Sequence, residues 1–237
     1  MHLSWHIAIY KAGKTMNVKL FNTLFNEVLP EVPGASQDIA LNAIRNAAIE
    51  FCDRSMCWTY TQDPISAVAN QPNYAFEPDN GADVAGVIQA WFNGLLITFK
   101  TAQQLEQDQG SSDGVLVSGF PWSEATGTPL AFTIERADEF ILVPMPDTSI
   151  TDAIKMKLAL KPSRTASGME KWVMDKHYMA IASGAKAKLM ESPGKPWSNS
   201  ALSKYHKDAF DQAISDASIP NALTQKLPEI VTAPSPI

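Results

Sequence analysis

Few side chains in this chain stand at spacings that could do chemistry. His2 and His6 are four apart, a spacing that can put two imidazoles on one helix face for a zinc ion. The glutamate that follows the first histidine in metalloprotease helices is absent, so a metal site there has little support. Cys52 and Cys57 are five apart near the end of a predicted helix. Positions i and i+5 there point in different directions, which disfavours a disulfide. A structural zinc site would need a second Cys/His pair at the right spacing, and the chain has none. Two reduced, half-buried thiols are the expectation. Glu135 and Glu139 flank a predicted turn and could be drafted as a glycosidase pair. Spacing in sequence does not set the carboxyl separation that chemistry needs, and a solvated turn is the plainer reading. His177 and His206 fall on helical segments. His206 stands beside Leu202 and Ala209 and reads as a satisfied, half-buried histidine rather than a base.

The larger catalytic signatures are missing too. No GxxxxGK[ST] and no GxGxxG between a strand and a helix is present, so nucleotide binding has no support. No GxSxG elbow occurs. Trp91, Phe92, Trp122 and Phe132 could line a sugar-binding platform, although such residues more often fill a β core. The expectation is a protein that is not an enzyme, with no catalytic, cofactor or metal site. A carbohydrate-binding module is the alternative, and a hydrolase built on Glu135 and Glu139 a distant third.

Composition narrows the class. The chain has 237 residues, 45% of them hydrophobic, enough for a real core. Only 19% are charged, against roughly 25% in ordinary soluble domains. That leaves neutral polar surface, or surface that another subunit covers. The net charge of −6 argues against a protein that grips nucleic acid by its phosphates. No apolar run approaches the ~20 residues that span a bilayer, and no membrane partner is expected. The first sixteen residues, MHLSWHIAIYKAGKTM, lack the layout of a signal peptide. Leu3, Trp5, Ile7 and Ile9 alternate, which fits an edge strand, an arm, or an upstream extension before a start at Met16.

The elements follow from periodicity and punctuation. Residues 17–29 place Leu20, Phe21, Leu24, Phe25 and Val28 at helical spacing. Ser36 is a good N-cap for a helix over about 37–54 with Ala40, Ile44, Ala47, Ala48 and Phe51 as its stripe. From 58 to 160 prolines exclude long helices. Val84 to Lys100 reads as two strands around Asn93-Gly94, a dipeptide that tolerates the positive φ of a tight hairpin. Strands are expected near 129–135, 139–143 and 154–160, and a polar exposed loop over Gln103 to Asp113. A helix is predicted from Gly168 to Met190, stopped by Ser192-Pro193-Gly194. Its small residues Ala182, Gly184, Ala185 and Ala187 would let another helix approach closely, the 42–51 segment or a helix of an adjacent subunit being the expected neighbours. Ser198 or Asn199 caps a last helix over about 200–217 with Leu202, Ala209, Ala213, Ile214 and Ala217 along one side. Four prolines in the stretch from Ile219 to Ile237 leave an extended arm. The fold class is therefore α+β: a helical bundle of N- and C-terminal helices, an inserted antiparallel β-rich region and an extended C-terminal arm. The divisions are 1–16, an N-terminal extension; 17–57 with 163–217, the bundle; 58–162, the β insertion; and 218–237, the arm.

The ordered set of motifs resembles the phage adaptor proteins, the head-to-tail connectors of short-tailed phages. Arg45, Ala47, Ala48, Glu50, Phe51, Cys52 and Ser55 match that family's R-x-A-A-x-E-F-C-x-x-S/T helix. Gly119-Phe120-Pro121, the segment Phe140 to Pro146 and the segment Leu160 to Ser163 follow in the family's order. Tyr178, Ala182, Gly184, Ala185, Leu189, Pro193, Gly194 and Trp197 match its later helix and turn. The resemblance covers roughly residues 17–217. It implies a structural subunit of a ring, generally of twelve copies, in the neck of the virion and assembled in the host cytoplasm. Such a ring docks under the portal, joins it to tail or nozzle proteins and lines the passage of genomic DNA without binding it specifically. On this view Arg45, Ala48, Phe51, Gly184, Ala185 and Trp197 are packing or interface residues. Ile219, Leu223, Leu227, Ile230 and Ile237 would belong to a portal-gripping arm. Low charge suits buried interfaces, and net acidity suits a lumen that does not hold DNA.

Overall fold

A computed structural model describes residues 17–108, 121–218 and the pair 225–226. The chain begins with a short strand, β1 (Val18–Leu20), then a 3-10 turn, one helical turn α1 (Phe25–Val28) and a second 3-10 turn. The long helix α2 (Gln37–Ser55) follows. Strands β2 (Thr59–Thr61), β3 (Ile65–Ala67), β4 (Asn73–Ala75), β5 (Ala82–Phe92) and β6 (Leu95–Phe99) come next, then α3 (Ala102–Asp108). After it come β7 (Thr126–Gly127), β8 (Ala131–Arg136), β9 (Glu139–Val143), β10 (Met145–Pro146), β11 (Ile150–Pro162) and β12 (Gly168–Glu170). Two helices, α4 (Lys171–Met190) and α5 (Ser200–Ala217), and the two-residue strand β13 (Gln225–Lys226) complete the order.

Among the described residues, the fold mixes helices with a curled sheet of nine strands. Its path runs β2-β11-β5-β6-β8-β9-β4, with β3 also on β11 and β13 on β5. Most pairs are antiparallel, but β6 and β8 are parallel, as are β7 and β10. The expected purely antiparallel insertion is therefore corrected: β6 leaves β5 after Ile97 and crosses to a new neighbour. Asn93 and Gly94 take positive φ, 47° and 81°, and form the β5–β6 hairpin as their types require.

The alternation read in 154–160 belongs to the longer β11. Ile154, Met156, Leu158 and Leu160 are fully buried in the main core. β5 breaks the alternation. Lys157 and Leu158 pair with Gln89 and Val87, and Ala159 and Leu160 with Gly86 and Val84. Ile88 and Ala85 are thus extra residues, two bulges that keep Val84, Val87, Ala90 and Phe92 all in the main core. Ala85 and Ile88 join Met56 and Ala159 in a separate small cluster. Because neighbours on a strand point to opposite faces, that cluster lies across the sheet from the core.

Three expectations are overturned in detail. Residues 17–29 are not one helix: Val18–Leu20 pairs with Gly168–Glu170 as a two-stranded ribbon, and only broken helical turns follow. The predicted start of the later helix at Gly168 is likewise a strand, with α4 beginning at Lys171. The polar stretch from Gln103 is not loop up to Asp108 but the helix α3, anchored by the fully buried Leu105 against Ala131 and Val143. Residues 109–113 of that stretch lie outside the described residues.

The helix α2 is close to its sequence reading. Ser36 accepts a hydrogen bond from the Ile39 backbone N–H at 3.4 Å, and Ala40, Ile44, Ala47, Ala48 and Phe51 are fully buried. Asn199 rather than Ser198 caps α5, accepting from Leu202 N–H at 3.1 Å. The buried stripe of α5 is displaced from expectation. It consists of Ser203, His206, Phe210 and Ile214, while Leu202 and Ala209 are exposed. Polar Ser203 and His206 can lie inward because each has a partner there: Ser203 donates to the Ala187 carbonyl at 2.9 Å, and His206 meets Glu31.

Candidate functional site

The motif residues converge where α2, α4 and α5 meet. Arg45 donates from Nε to the Ala166 carbonyl at 2.8 Å and from a terminal nitrogen to Asn42 at 3.0 Å. It therefore pins the link between β11 and β12 to α2. Glu50 receives Arg54 at 3.0 Å from its own helix and Lys188 at 2.6 Å from α4. Arg54 also reaches Asp211 of α5 at 2.5 Å. One carboxylate and one guanidinium so connect three helices, a network rather than an isolated surface pair. Lys161 of β11 pairs with Asp53 at 2.9 Å, tying the sheet to the same helix.

A second polar cluster joins the N-terminal segment to the same helices. Glu31 takes Lys186 of α4 at 2.6 Å and His206 of α5 at 3.0 Å. The Lys186 side chain is only 6% exposed and His206 only 9%, so both need that carboxylate. The Lys186 hydrogen bond holds the Glu31 carboxyl below its ordinary range, against the opposing effect of burial, with His206 adding to the lowering. At Glu50 burial is the largest influence and pushes upward. Lys188 and Arg54 together outweigh it, and the net shift is down.

The apolar members of the motif pack inside the subunit. Phe51 lies against the His177 ring, centroids 4.7 Å apart, and the Phe210 ring at 6.0 Å. Ala48 and Ala185 are fully buried. Gly184 faces Phe210 of α5, and a Cβ placed there would stand 2.7 Å from the ring. The small-residue helix does pack on the 42–51 segment as expected, and at Gly184 itself the nearest side chain is Phe210 of α5. Trp197 is 9% exposed, with its ring beneath the turn at Gly34. Arg45, Ala48, Phe51, Gly184, Ala185 and Trp197 are thus all engaged within one chain, and Arg45 alone of them is half-exposed. Ile219, Leu223, Leu227, Ile230 and Ile237 lie outside the described residues, as do His2 and His6.

The cysteines are both free, Cys52 fully buried at the end of α2 and Cys57 half-buried beyond it. The Cys52 thiol donates toward Cys57, which drives Cys57 down to about 5 against burial, with His177 and Ser55 also lowering it. Cys52 is pushed up in turn, first by that hydrogen bond and then by burial. His177 breaks the helical path of α4, with φ −114° and ψ 21°, and its buried Nε2 has no hydrogen-bond partner among the described residues.

The other arrangements weighed from sequence come apart. Phe92 and Phe132 are core residues, 3% and 2% exposed, so the four aromatics do not present one sugar-binding face. Trp122 packs on Leu105, Ala131 and Val143. Glu139 is paired with Arg136 at 3.6 Å across the turn, a surface contact. Among the described residues no three His, Cys, Asp or Glu side chains are gathered to hold a metal, and no helix is long and apolar enough to cross a membrane.

Sequence reasoning missed the exposed apolar side chains. Leu95 and Leu96 at the hairpin tip are 62% and 58% exposed, beside Leu130 at 48%. Val18 and Leu20 on β1, Trp172 and Met179 on α4, and Leu202 and Tyr205 on α5 are exposed as well. The doubled leucine directly after Asn93-Gly94 was the available signal, since one of any two adjacent strand residues must face away from the core.

In the described residues, ion pairs thus join α2 to α4, α5 and β11. A family model described as SU10 adaptor protein matches residues 20–231. The chain belongs to that family: it is a phage adaptor, a structural component of the virion. None of the curated proteins compared with it matches.

Proposed function

We propose that this chain is a subunit of a homo-oligomeric adaptor ring, twelve-fold in the family's usual manner. In this reading the ring docks under the portal, joins it to tail or nozzle proteins and surrounds the path of the DNA. The helices of both ends of the chain form the ring body, the β region with its hairpins meets the tail side, and the arm over 218–237 grips the portal. Assembly takes place in the host cytoplasm.

The observation that carries this is the separation of the exposed apolar groups. Leu95, Leu96 and Leu130 sit at one end of the sheet, Trp172 and Met179 on the outer side of α4, Leu202 and Tyr205 on α5. A ring subunit contacts a copy on each side and different proteins above and below. It therefore needs several apolar surfaces in different places, each covered only in the assembly. A protein with one partner or one ligand would need one. The net charge of −6 also fits a wall that DNA slides past, because phosphate repulsion removes the adhesive term.

The direct test combines the purified chain with portal rings, read by mass measurement and negative-stain imaging. A ring of this chain stacked on the portal is expected. A chain that stays monomeric and does not bind portal rings sinks the proposal. Monomer alone in solution does not, since the portal can template the ring.

A further inference from the structure

The side of β5 turned away from β11 is an unusual strand edge. At its C-terminal end, Ala90–Phe92 pairs with Leu95–Ile97 of β6. Beyond that β6 departs, and from Ala82 to Gln89 the only described partner is β13, at Gln225↔Val87 and Lys226↔Gly86. An open edge is a template for another strand, and proteins usually blunt it with lysine, proline or a very short length. This one reads ADVAGVIQ: eight residues, no lysine, no proline, and a single charge at Asp83. Its side chains are already sequestered, Val84, Ala85, Val87 and Ile88 all being 7% exposed or less. What the edge offers a partner is main-chain hydrogen bonding, the currency of strand addition.

The complementary strand is marked out in the sequence. Pro220 and Pro228 bracket a seven-residue proline-free stretch, NALTQKL. A strand continued in the antiparallel register of the two observed pairs would bring Leu223 to Gln89 and Leu227 to Ala85. A proline at 228, lacking an N–H, would end such a ladder. Because β6 already holds Ala90 and Trp91, five residues of the stretch, 223–227, suit the edge from Ala85 to Gln89. It is tethered to α5 through Ser218, which is already extended at φ −64° and ψ 133°. The seven residues 218–224 can span ~23 Å when extended, enough to leave the parent sheet.

We propose that the Ala85–Gln89 edge of β5 is an acceptor site for the 223–227 segment of a second copy of this chain, so that arms are exchanged between neighbouring subunits. The proposal rests on the adaptor-ring reading. An exchanged strand makes the same hydrogen bonds as the chain's own, so the swap costs little in contacts while linking two subunits. The own-chain pairing is then the form taken by an isolated subunit. The residues beyond Pro228 stay free to reach a different protein, which reconciles a belt between subunits with a portal-gripping tip.

Two single-cysteine chains test this, made in a background with Cys52→Ala and Cys57→Ser. One carries Val87→Cys and the other Gln225→Cys. These positions are Cα partners, and directly opposed antiparallel residues fall within disulfide range. The two chains are mixed, assembled on purified portal rings, oxidised and run on a non-reducing gel. Exchange gives a band at twice the 25.9 kDa of one chain. A third chain carrying both cysteines is assembled alone as the control. If that chain closes only within itself while the mixture gives no doubled band, the arm stays on its own subunit and the proposal is overturned. If neither links, the edge is not where the arm lies in the ring, which also overturns it. The adjoining pair, Gly86→Cys with Lys226→Cys, repeats the test should Val87→Cys unfold. Failure of the uncrosslinked chains to pellet with portal rings defeats the adaptor reading itself, and is seen before oxidation.

Discussion

The ring of Phe210 lies directly on Gly184, so near that a methyl group on the glycine would stand 2.7 Å from Cε2. Phe210 is 3% exposed and its ring centroid lies 6.0 Å from that of Phe51, so the ring is hemmed in within the core. Gly184→Ala is expected to force α4 and α5 apart and to cost roughly 1–3 kcal/mol, as overpacking of a tight core does. Urea or thermal unfolding reads it. Adding Phe210→Leu should recover part of the loss, because the two changes share one space. A Gly184→Ala chain as stable as the parent would show that the helices are not held at this distance.

The two carboxylate networks predict an acid limb. Glu31 and Glu50 both titrate below their ordinary range in the folded chain. A depressed folded pKa stabilises the protein above the unfolded value, ~4.3 for glutamate, and that contribution is lost as pH falls through the folded pKa. The Glu31→Gln, Glu50→Gln double variant should be less stable than the parent at pH 7, with the gap closing below about pH 4. The side chains are 45% and 35% exposed, so solvent screens the effect and keeps it modest. Denaturant midpoints across pH 3–7 measure it. A gap that does not change with pH would mean that these pairs are packing contacts only.

Cys57 should be the reactive thiol. Its pKa of about 5 keeps it a thiolate at neutral pH, whereas Cys52 is buried and pushed up. Iodoacetamide at pH 7 is expected to modify Cys57 in the folded protein and spare Cys52, with the rate falling as pH drops toward 5. Peptide mass mapping distinguishes the two sites. His177→Ala should raise the pH at which labelling sets in, since His177 is one of the groups that lower this thiol.

Surface leucines and a tryptophan should separate assembly from folding. Leu96→Asp and Trp172→Asp change residues 58% and 43% exposed. Each is expected to shift stability by no more than about 0.5 kcal/mol, as surface changes do, yet to reduce ring formation on portal at least tenfold. Melting curves and portal co-sedimentation together decide this. Variants that assemble normally would remove these surfaces from the interface.

Elements governed by local rules could be read from the sequence. The capped, alanine-striped α2, the Asn93-Gly94 hairpin and the alternation of β11 all depend on neighbours in the chain. The misreadings arose where distant residues decide. Phe21, Leu24 and Val28 fit a helical face, but Val18–Leu20 finds a strand partner about 150 residues away at Gly168–Glu170. Gly168 is glycine because a Cβ would stand 2.4 Å from the Lys19 carbonyl oxygen. The inward face of α5 was misjudged because hydropathy cannot tell that Ser203 and His206 have partners waiting. The motif Arg45 to Phe51 was found from its pattern, but that its arginine grips the Ala166 carbonyl and its glutamate bridges to Lys188 needed the fold.

The helix α2 has its apolar face covered by α4 and, through Phe51, by Phe210. Those partners are encoded more than a hundred residues downstream of it. A ribosome adding roughly 5–20 residues per second takes on the order of ten seconds or more to deliver them. Throughout that interval a stripe of Ile44, Ala47, Ala48 and Phe51 waits without its cover. The subunit therefore completes its fold late in synthesis, and the cell's holding chaperones have a defined window in which to act on it.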